Sequence, residues 1–278
     1  MNWRIVTDSS CDKLPDLDWS NNVSYGKVPF VFKIGRREMT DDEHLSIPEM
    51  LTEMENCPDA SRSACPAPGL WEEQFDQADQ VIALTISANL SGSYESAISA
   101  REMSLEKNPR KKILVLNSLS TGPVLNMAVE KALHLINKGI PFETICNTLN
   151  EFIHSRHTIF ALCSFNNLVK NGRVSRLSGL IAGKLGIWGI GVGDSEGRIQ
   201  MAAKVRGTRR IIQTITDNMK QNHFNGGQVV ISHCLNPEFA SQLRDGILQI
   251  WQNARVLLSE TGGLCSFYAE RSGLIVAY

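Results

Sequence analysis

The sequence predicts an α/β protein made of two α/β domains, and three observations carry that prediction. Strand-like and helix-like segments alternate from the first residues onward. The run Val81-Ile82-Ala83-Leu84-Thr85-Ile86 is apolar without alternation, as expected of a parallel strand covered on both faces. In the second half, two apolar segments flank Gly193-Asp194-Ser195-Glu196-Gly197, a hairpin signal foreign to a purely parallel sheet. The first domain is thus expected to hold a mainly parallel sheet flanked by helices. The second is expected to be a mixed α/β sandwich.

Taken in order, Arg4–Thr7 reads as the first strand, ending at Asp8-Ser9-Ser10, and Val28–Ile34 as the second. Ile82–Ile86 and Ile113–Leu116 are further strands, each followed by a helical pattern. Ser91 or Asn89 is expected to cap the helix that starts with Ser93, Tyr94 and Glu95. Pro123–Asn137 repeats its apolar residues at helical spacing, and Pro141 suits the first turn of the next helix. Ile159–Cys163 is a strand followed by helical stretches, with Ser175 as a cap. Ile187–Val192 and Arg198–Ala203 form the hairpin, and Thr208 is expected to cap a helix to Gln221. Gln228–Ser232 is a strand and Pro237–Trp251 a helix. Three short strands close the chain, around Val256, at Leu264–Phe267 and at Leu274–Tyr278. The boundary falls near residues 155–160, giving domains 1–157 and 158–278.

Composition narrows the function. The chain has 278 residues, 42% of them hydrophobic, enough to fill the cores of one large domain or two medium ones. A net charge of −1 argues against a general nucleic-acid or membrane-surface binder. No apolar run reaches the roughly 18–20 residues that span a bilayer, so no stable membrane insertion is expected. Met1–Asp8 lacks the pattern of a signal peptide. The seven cysteines are scattered and odd in number, without a C-x-x-C pair, and read as reduced thiols in a cytoplasmic protein.

Three strand ends are polar: Asp8-Ser9-Ser10, the group Ser87, Asn89, Ser91 and Ser93, and the group Asn117, Ser118, Ser120 and Thr121. Singly, each reads as an ordinary cap or turn. Together they mark the carboxyl edge of a parallel sheet, where ligands bind. The Ser91 turn before a helix suits a carboxylate or phosphate. The Pro/Gly-punctuated loop Ser61–Gly69 could bring Ser63 beside it. Cys65 in that loop has no base nearby in sequence and reads as a structural or incidental thiol. Arg173 follows an Asn-Gly turn and could face an anion or an acidic partner. His154 and His157 lack further ligands at metal-binding spacing, and His233 reads as structural. No G-x-S-x-G, P-loop or G-x-G-x-x-G occurs, and no cofactor is implied.

These pieces, in this order and over essentially the whole chain, resemble the DegV family of bacterial fatty-acid-binding proteins. The segments are I-V-T-D-S-S-C-D, S-A-C-P-A-P-G, L-T-I-S-A-N-L-S-G-S-Y-E-S-A, L-V-K-N-G-R-V-S, K-V-R-G-T-R-R and I-S-H-C-L-N-P-E. The L-S-G-S-Y segment, Leu90 to Tyr94, is the most specific. The resemblance implies a long-chain fatty acid buried between two domains, its carboxylate at Ser63 and Ser91 with Gly92 beside them. It implies a non-catalytic carrier whose partner, a separate fatty acid kinase, phosphorylates the bound carboxylate for phospholipid synthesis. Arg173 matches the family arginine near the head group. Tyr268 stands where the family has histidine, and two glycines and a proline that follow in the family are absent from Ala269–Ser272. A tyrosine hydroxyl can donate to a carboxylate, but it does not titrate near neutral pH as histidine does. Two other readings stay open. One is a diverged member that binds another amphipathic acid without a kinase; the other is a phosphotransferase or hydrolase using the anion site at Ser91.

Overall fold

In the computed structural model, residues 2–174 and 186–278 are described. The cap expected at Ser175 lies outside them. The first half runs β1 (Trp3–Asp8), β2 (Val23–Val28), β3 (Val31–Ile34), β4 (Arg37–Thr40), α1 (Ile47–Asn56), β5 (Arg62–Ala64) and α2 (Pro68–Phe75). It continues through β6 (Gln80–Thr85), α3 (Ser93–Lys107), β7 (Lys112–Asn117), α4 (Pro123–Asn137) and α5 (Phe142–His154). The second half runs β8 (Thr158–Leu162), α6 (Asn166–Lys170), β9 (Ile187–Gly193), β10 (Ile199–Arg206) and α7 (Thr208–Gln221). It ends with β11 (Gly227–His233), α8 (Pro237–Ile250), β12 (Ala254–Glu260), α9 (Gly263–Ala269) and β13 (Leu274–Ala277).

β2-β1-β6-β7 form an all-parallel sheet. Its pleat sends alternate side chains to opposite cores. Ile5, Ile82 and Leu84 join Leu125, Val129 and Ile145 from α4 and α5. Val6, Val81 and Ala83 join Trp71, Phe75 and Ala97 from α2 and α3. Both faces are therefore apolar, and this explains the uninterrupted run at Val81–Leu84. β10-β9-β8-β13-β11-β12 form a six-stranded mixed sheet. One face, with Ile159, Ala161, Leu274 and Val276, packs on α7 and α8. The other turns toward the first half. There Val230 and Ala277 meet Val124 and Met127 of α4, while Phe160, Leu162 and Ile275 meet α6 and α9. A small sheet, β4-β3-β5, completes the fold.

Several expectations need correction. Val28–Ile34 is not one strand but two in different sheets. Pro29 has no N–H to continue a ladder, and Phe30 donates its own to the Ser9 hydroxyl at 3.0 Å. Within the Ser61–Gly69 loop, Arg62–Ala64 is a strand paired with β3. Leu264–Phe267 is helix, not strand. The N–H groups of Gly262 and Leu264 at its start donate to buried Asp12 and Asp41, both at 2.8 Å. Those caps come from the far end of the chain, so the local sequence does not show them. Gly207 at φ 83 and Gly92 occupy the cap positions given above to Thr208 and Ser91. Pro141 precedes α5 as its cap rather than entering its first turn.

Candidate functional site

The polar strand ends divide into structural and cavity-facing groups. Asp8, at the end of β1, is fully buried. It accepts from the Ser93 hydroxyl at 2.7 Å, from the Ile86 N–H at 2.9 Å, and from both the N–H and the hydroxyl of Ser10. Burial pushes its carboxyl upward, and these four donors work against that shift. Ser87 donates to the Gly197 carbonyl at 2.8 Å, and the Asn89 amide to the Glu196 carbonyl at 2.7 Å. The β9–β10 turn is thus fastened to the loop that leads to Ser91. Asn117 accepts from the N–H groups of Ala88 and Leu119, and Ser120 bonds to Thr158. These residues build the scaffold. Of the expected strand-end residues, Ser91 and Thr121 face the cavity.

That cavity is about 310 Å³ and lies between the parallel sheet's loops and the inner face of the six-stranded sheet. Its volume is near the lower end of small-ligand sites, roughly 300–1,000 Å³. Ser63, Ser91, Gly92, Arg173 and Tyr268, far apart in sequence, all line it. Ser63 is carried by β5 opposite Phe32, and Tyr268 by α9, where Phe267 stacks on Phe32 at 4.8 Å. The packing brings the Tyr268 hydroxyl to 2.8 Å from Ser63 Oγ. Ser91 Oγ accepts from the Ser93 N–H at 3.3 Å, so the serine shapes the start of α3 even though it is not the cap residue. Arg173 donates from Nε to the Leu90 carbonyl at 3.1 Å and from a terminal nitrogen to the Asn171 carbonyl. Its guanidinium is thereby fixed beside Ser91.

The rest of the wall is apolar. Phe160 and Leu162 of β8, Leu168 of α6, Ile199 of β10 and Ile275 of β13 come from the second half. Phe30, Ile86 and Leu90 come from the first. Periodicity alone marks Phe160, Leu162 and Ile275 as buried but not what they are buried against, so none stood out as a site residue. Thr121 and Cys265 sit together at one wall, their side chains 3.4 Å apart. Cys265 donates to the Ser10 carbonyl at 3.3 Å, and burial raises its thiol well above the usual range. Cys65 is exposed at the cavity's edge. The histidines lie elsewhere. His154 bonds to the Asn150 carbonyl, His157 stacks on Tyr278, and His233 accepts from the Asn236 N–H. Among the described residues no histidine and no carboxylate lines the cavity, and no group of three metal-ligating side chains is present. No described helix is long and apolar enough to cross a membrane.

Chemically, the cavity combines the hydroxyls of Ser63, Ser91, Thr121 and Tyr268 with a hydrocarbon-like lining. Comparison with known proteins places this geometry in context. The family profile described as "Uncharacterised protein, DegV family" matches residues 2–277. A DegV domain-containing protein of Streptococcus pyogenes serotype M3 is 35% identical, over 100% of this chain and 99% of that one. The crystal structure of the Streptococcus pneumoniae fatty acid kinase (Fak) B3 protein loaded with linoleic acid superposes with a TM-score of 0.96. It is 34% identical and covers 100% of this chain and 99% of its own. A Eubacterium eligens DegV family protein loaded with heptadecanoic acid gives 0.93 at 33% identity, covering 99% and 98%.

Proposed function

The chain belongs to the DegV family, and from that premise we propose that it holds a long-chain fatty acid in the cavity and presents its carboxyl group to a separate fatty acid kinase. The observation that carries this reading is the meeting of Ser63, Ser91 and Tyr268 on one largely apolar cavity. The acyl chain lies along Phe160, Leu162, Ile199 and Ile275, and the carboxyl group is held at Ser63 and Ser91. Gly92 leaves room there, Tyr268 donates to the carboxyl group, and Arg173 borders it. The division into residues 1–157 and 158–278, with the ligand between them, is part of the proposal. Supporting it, among the described residues no strand of the six-stranded sheet comes from before Thr158.

Energetics assign different tasks to the two ends. Burying about 15 carbons at ~0.8 kcal/mol each gives a gross term on the order of 12 kcal/mol before ordering costs. Each hydroxyl hydrogen bond adds roughly 1 kcal/mol net. The chain supplies affinity, and the hydroxyls decide which end is presented. Ser91 has no imidazole or carboxylate within the described lining to act as base, which favours binding over turnover.

Denaturing extraction and mass spectrometry of the purified protein test the reading. A long-chain fatty acid is expected; no lipid, together with no uptake of added fatty acid, overturns it. One observation supports a second reading, a carrier without a kinase partner. Tyr268, standing where the family has histidine, offers only a hydroxyl, and that hydroxyl is already engaged with Ser63. Phosphate transfer to the bound acid by an added fatty acid kinase decides between the two.

A further inference from the structure

The backbone that follows Tyr268 is unusual. Glu270 ends α9 with φ 56 and ψ 179, a region that glycine occupies freely and other residues avoid. Ser272 is left-handed as well, at φ 74. Ser272 is secured through its backbone, donating to the Cys234 carbonyl at 2.9 Å. Glu270 is likewise held through its backbone, its N–H donating to the Ser266 carbonyl at 2.9 Å, but its side chain adds what a glycine could not. The half-buried carboxylate accepts from the Ser164 hydroxyl at 3.0 Å and from the Asn167 N–H at 3.2 Å.

Those two contacts continue into a network. The Asn167 amide donates to the Phe267 carbonyl at 2.7 Å, a second link between α6 and α9. The Asn171 amide donates to the Asn167 carbonyl at 2.9 Å and to the Ser61 carbonyl at 3.0 Å, two residues before Ser63. Arg173 then reaches the Leu90 carbonyl, one residue before Ser91. The chain of contacts Glu270, Asn167, Asn171, Arg173 thus joins the segments that carry Tyr268, Ser63 and Ser91.

We propose that Glu270 is a positioning residue for the polar side chains of the cavity: its carboxylate fastens α6 to α9 and thereby holds Arg173 beside Ser91 and Tyr268 beside Ser63. This rests on the functional reading above only for its consequence; the tether itself is a property of the ligand-free chain. Glutamate outweighs the backbone preference for glycine here because it contributes two hydrogen bonds across an interface between helices.

Hydrogen exchange of the full chain without ligand reads the tether, and release of a bound fluorescent C16 fatty acid reads its consequence. Glu270→Gly relieves the backbone and removes the acceptor. Amides of residues 164–173 are expected to exchange about tenfold faster in it, with β11 unchanged. Fatty-acid release is expected to quicken severalfold while Tm holds or rises. Glu270→Gln keeps an acceptor and is expected to match the parent chain, whereas Glu270→Met keeps the bulk without an acceptor oxygen and is expected to exchange like Glu270→Gly. Ser164→Ala removes one donor without touching the strained backbone. It is expected to give intermediate exchange, and it keeps the test available if Glu270→Gly folds poorly. Parent-like exchange in Glu270→Gly and Ser164→Ala overturns the tether, as does Glu270→Gln behaving like Glu270→Gly. Faster exchange with unchanged release overturns the link to the cavity. A parent chain that takes up no fatty acid overturns the functional reading and that link, while exchange still decides the tether.

Discussion

The Tyr268 hydroxyl lies 2.8 Å from Ser63 Oγ, although 205 positions separate the two in the chain. The bond joins α9 to β5 at the cavity wall, and Phe267, next to Tyr268, stacks its ring on that of Phe32, which pairs with Ser63. Tyr268→Phe keeps the ring and its edge-to-face contact with Phe267 but removes this bond. Unfolding free energy is expected to fall by about 0.5–1.5 kcal/mol, and fatty-acid retention to drop. Urea denaturation and a lipid-release assay check both. Unchanged retention removes Tyr268 from the head-group site.

Ser91→Ala deletes a hydroxyl facing the cavity and the acceptor for the Ser93 N–H. Head-group retention is expected to weaken by roughly 1–2 kcal/mol. The fold should persist, since Asp8 still binds Ser93 and Ile86. Circular dichroism together with fatty-acid titration tests this, and undiminished affinity contradicts the assigned role.

Ile275 is buried on β13 and forms part of the apolar wall. Ile275→Phe places extra volume where the acyl chain is expected to run. Binding of an 18-carbon acid should suffer more than binding of a 12-carbon acid, by about 1–3 kcal/mol. Equal losses for both lengths would place the tail elsewhere.

Asp41 carries a pH dependence. It is buried and accepts from the Leu264 N–H at the start of α9. Desolvation pushes its carboxyl up to about 6 from an ordinary 3.8, against opposing contributions from Ser9, Lys27, Leu264 and Gly263. A carboxyl whose folded pKa exceeds its unfolded value binds its proton more tightly when folded. Its contribution is therefore fully present below the unfolded pKa and is lost as pH rises through about 6. Relative to Asp41→Asn, the parent chain should lose up to about 3 kcal/mol between about pH 4 and pH 7, then level off. Denaturant titrations across that range measure the difference, and a pH-independent gap rules out this account of Asp41.

Much of the scaffold was legible locally. The apolar run at Val81–Leu84 signals a strand buried on both faces, and the structure places helices on each side of it. The turn Gly193–Gly197 announces the β9–β10 hairpin. Ser63, Ser91, Gly92, Arg173 and Tyr268 could be named from motif resemblance, and all five reach one cavity. Where the reading failed, the deciding partner was distant. Leu264–Phe267 has the apolar content of a short strand, but its leading N–H groups meet carboxylates from residues 12 and 41. Val28–Ile34 has the composition of one strand, but Pro29 divides it between two sheets.

Sequence alone determined the alternation of strands and helices through the parallel sheet, which strand faces are apolar, and the residue types gathered near the carboxyl ends of the parallel strands. These follow from short-range physics: backbone propensity, the period of side-chain direction, and the chemistry of each residue. Tertiary structure alone decided that α9 is a helix and that Tyr268 meets Ser63. It also decided that the inner face of the six-stranded sheet supplies the hydrocarbon wall, and that Glu270 reaches across to α6. The physical reason is that a side chain's period specifies a direction, whereas a contact needs both of its surfaces to be in place. Here those surfaces come from opposite ends of the chain.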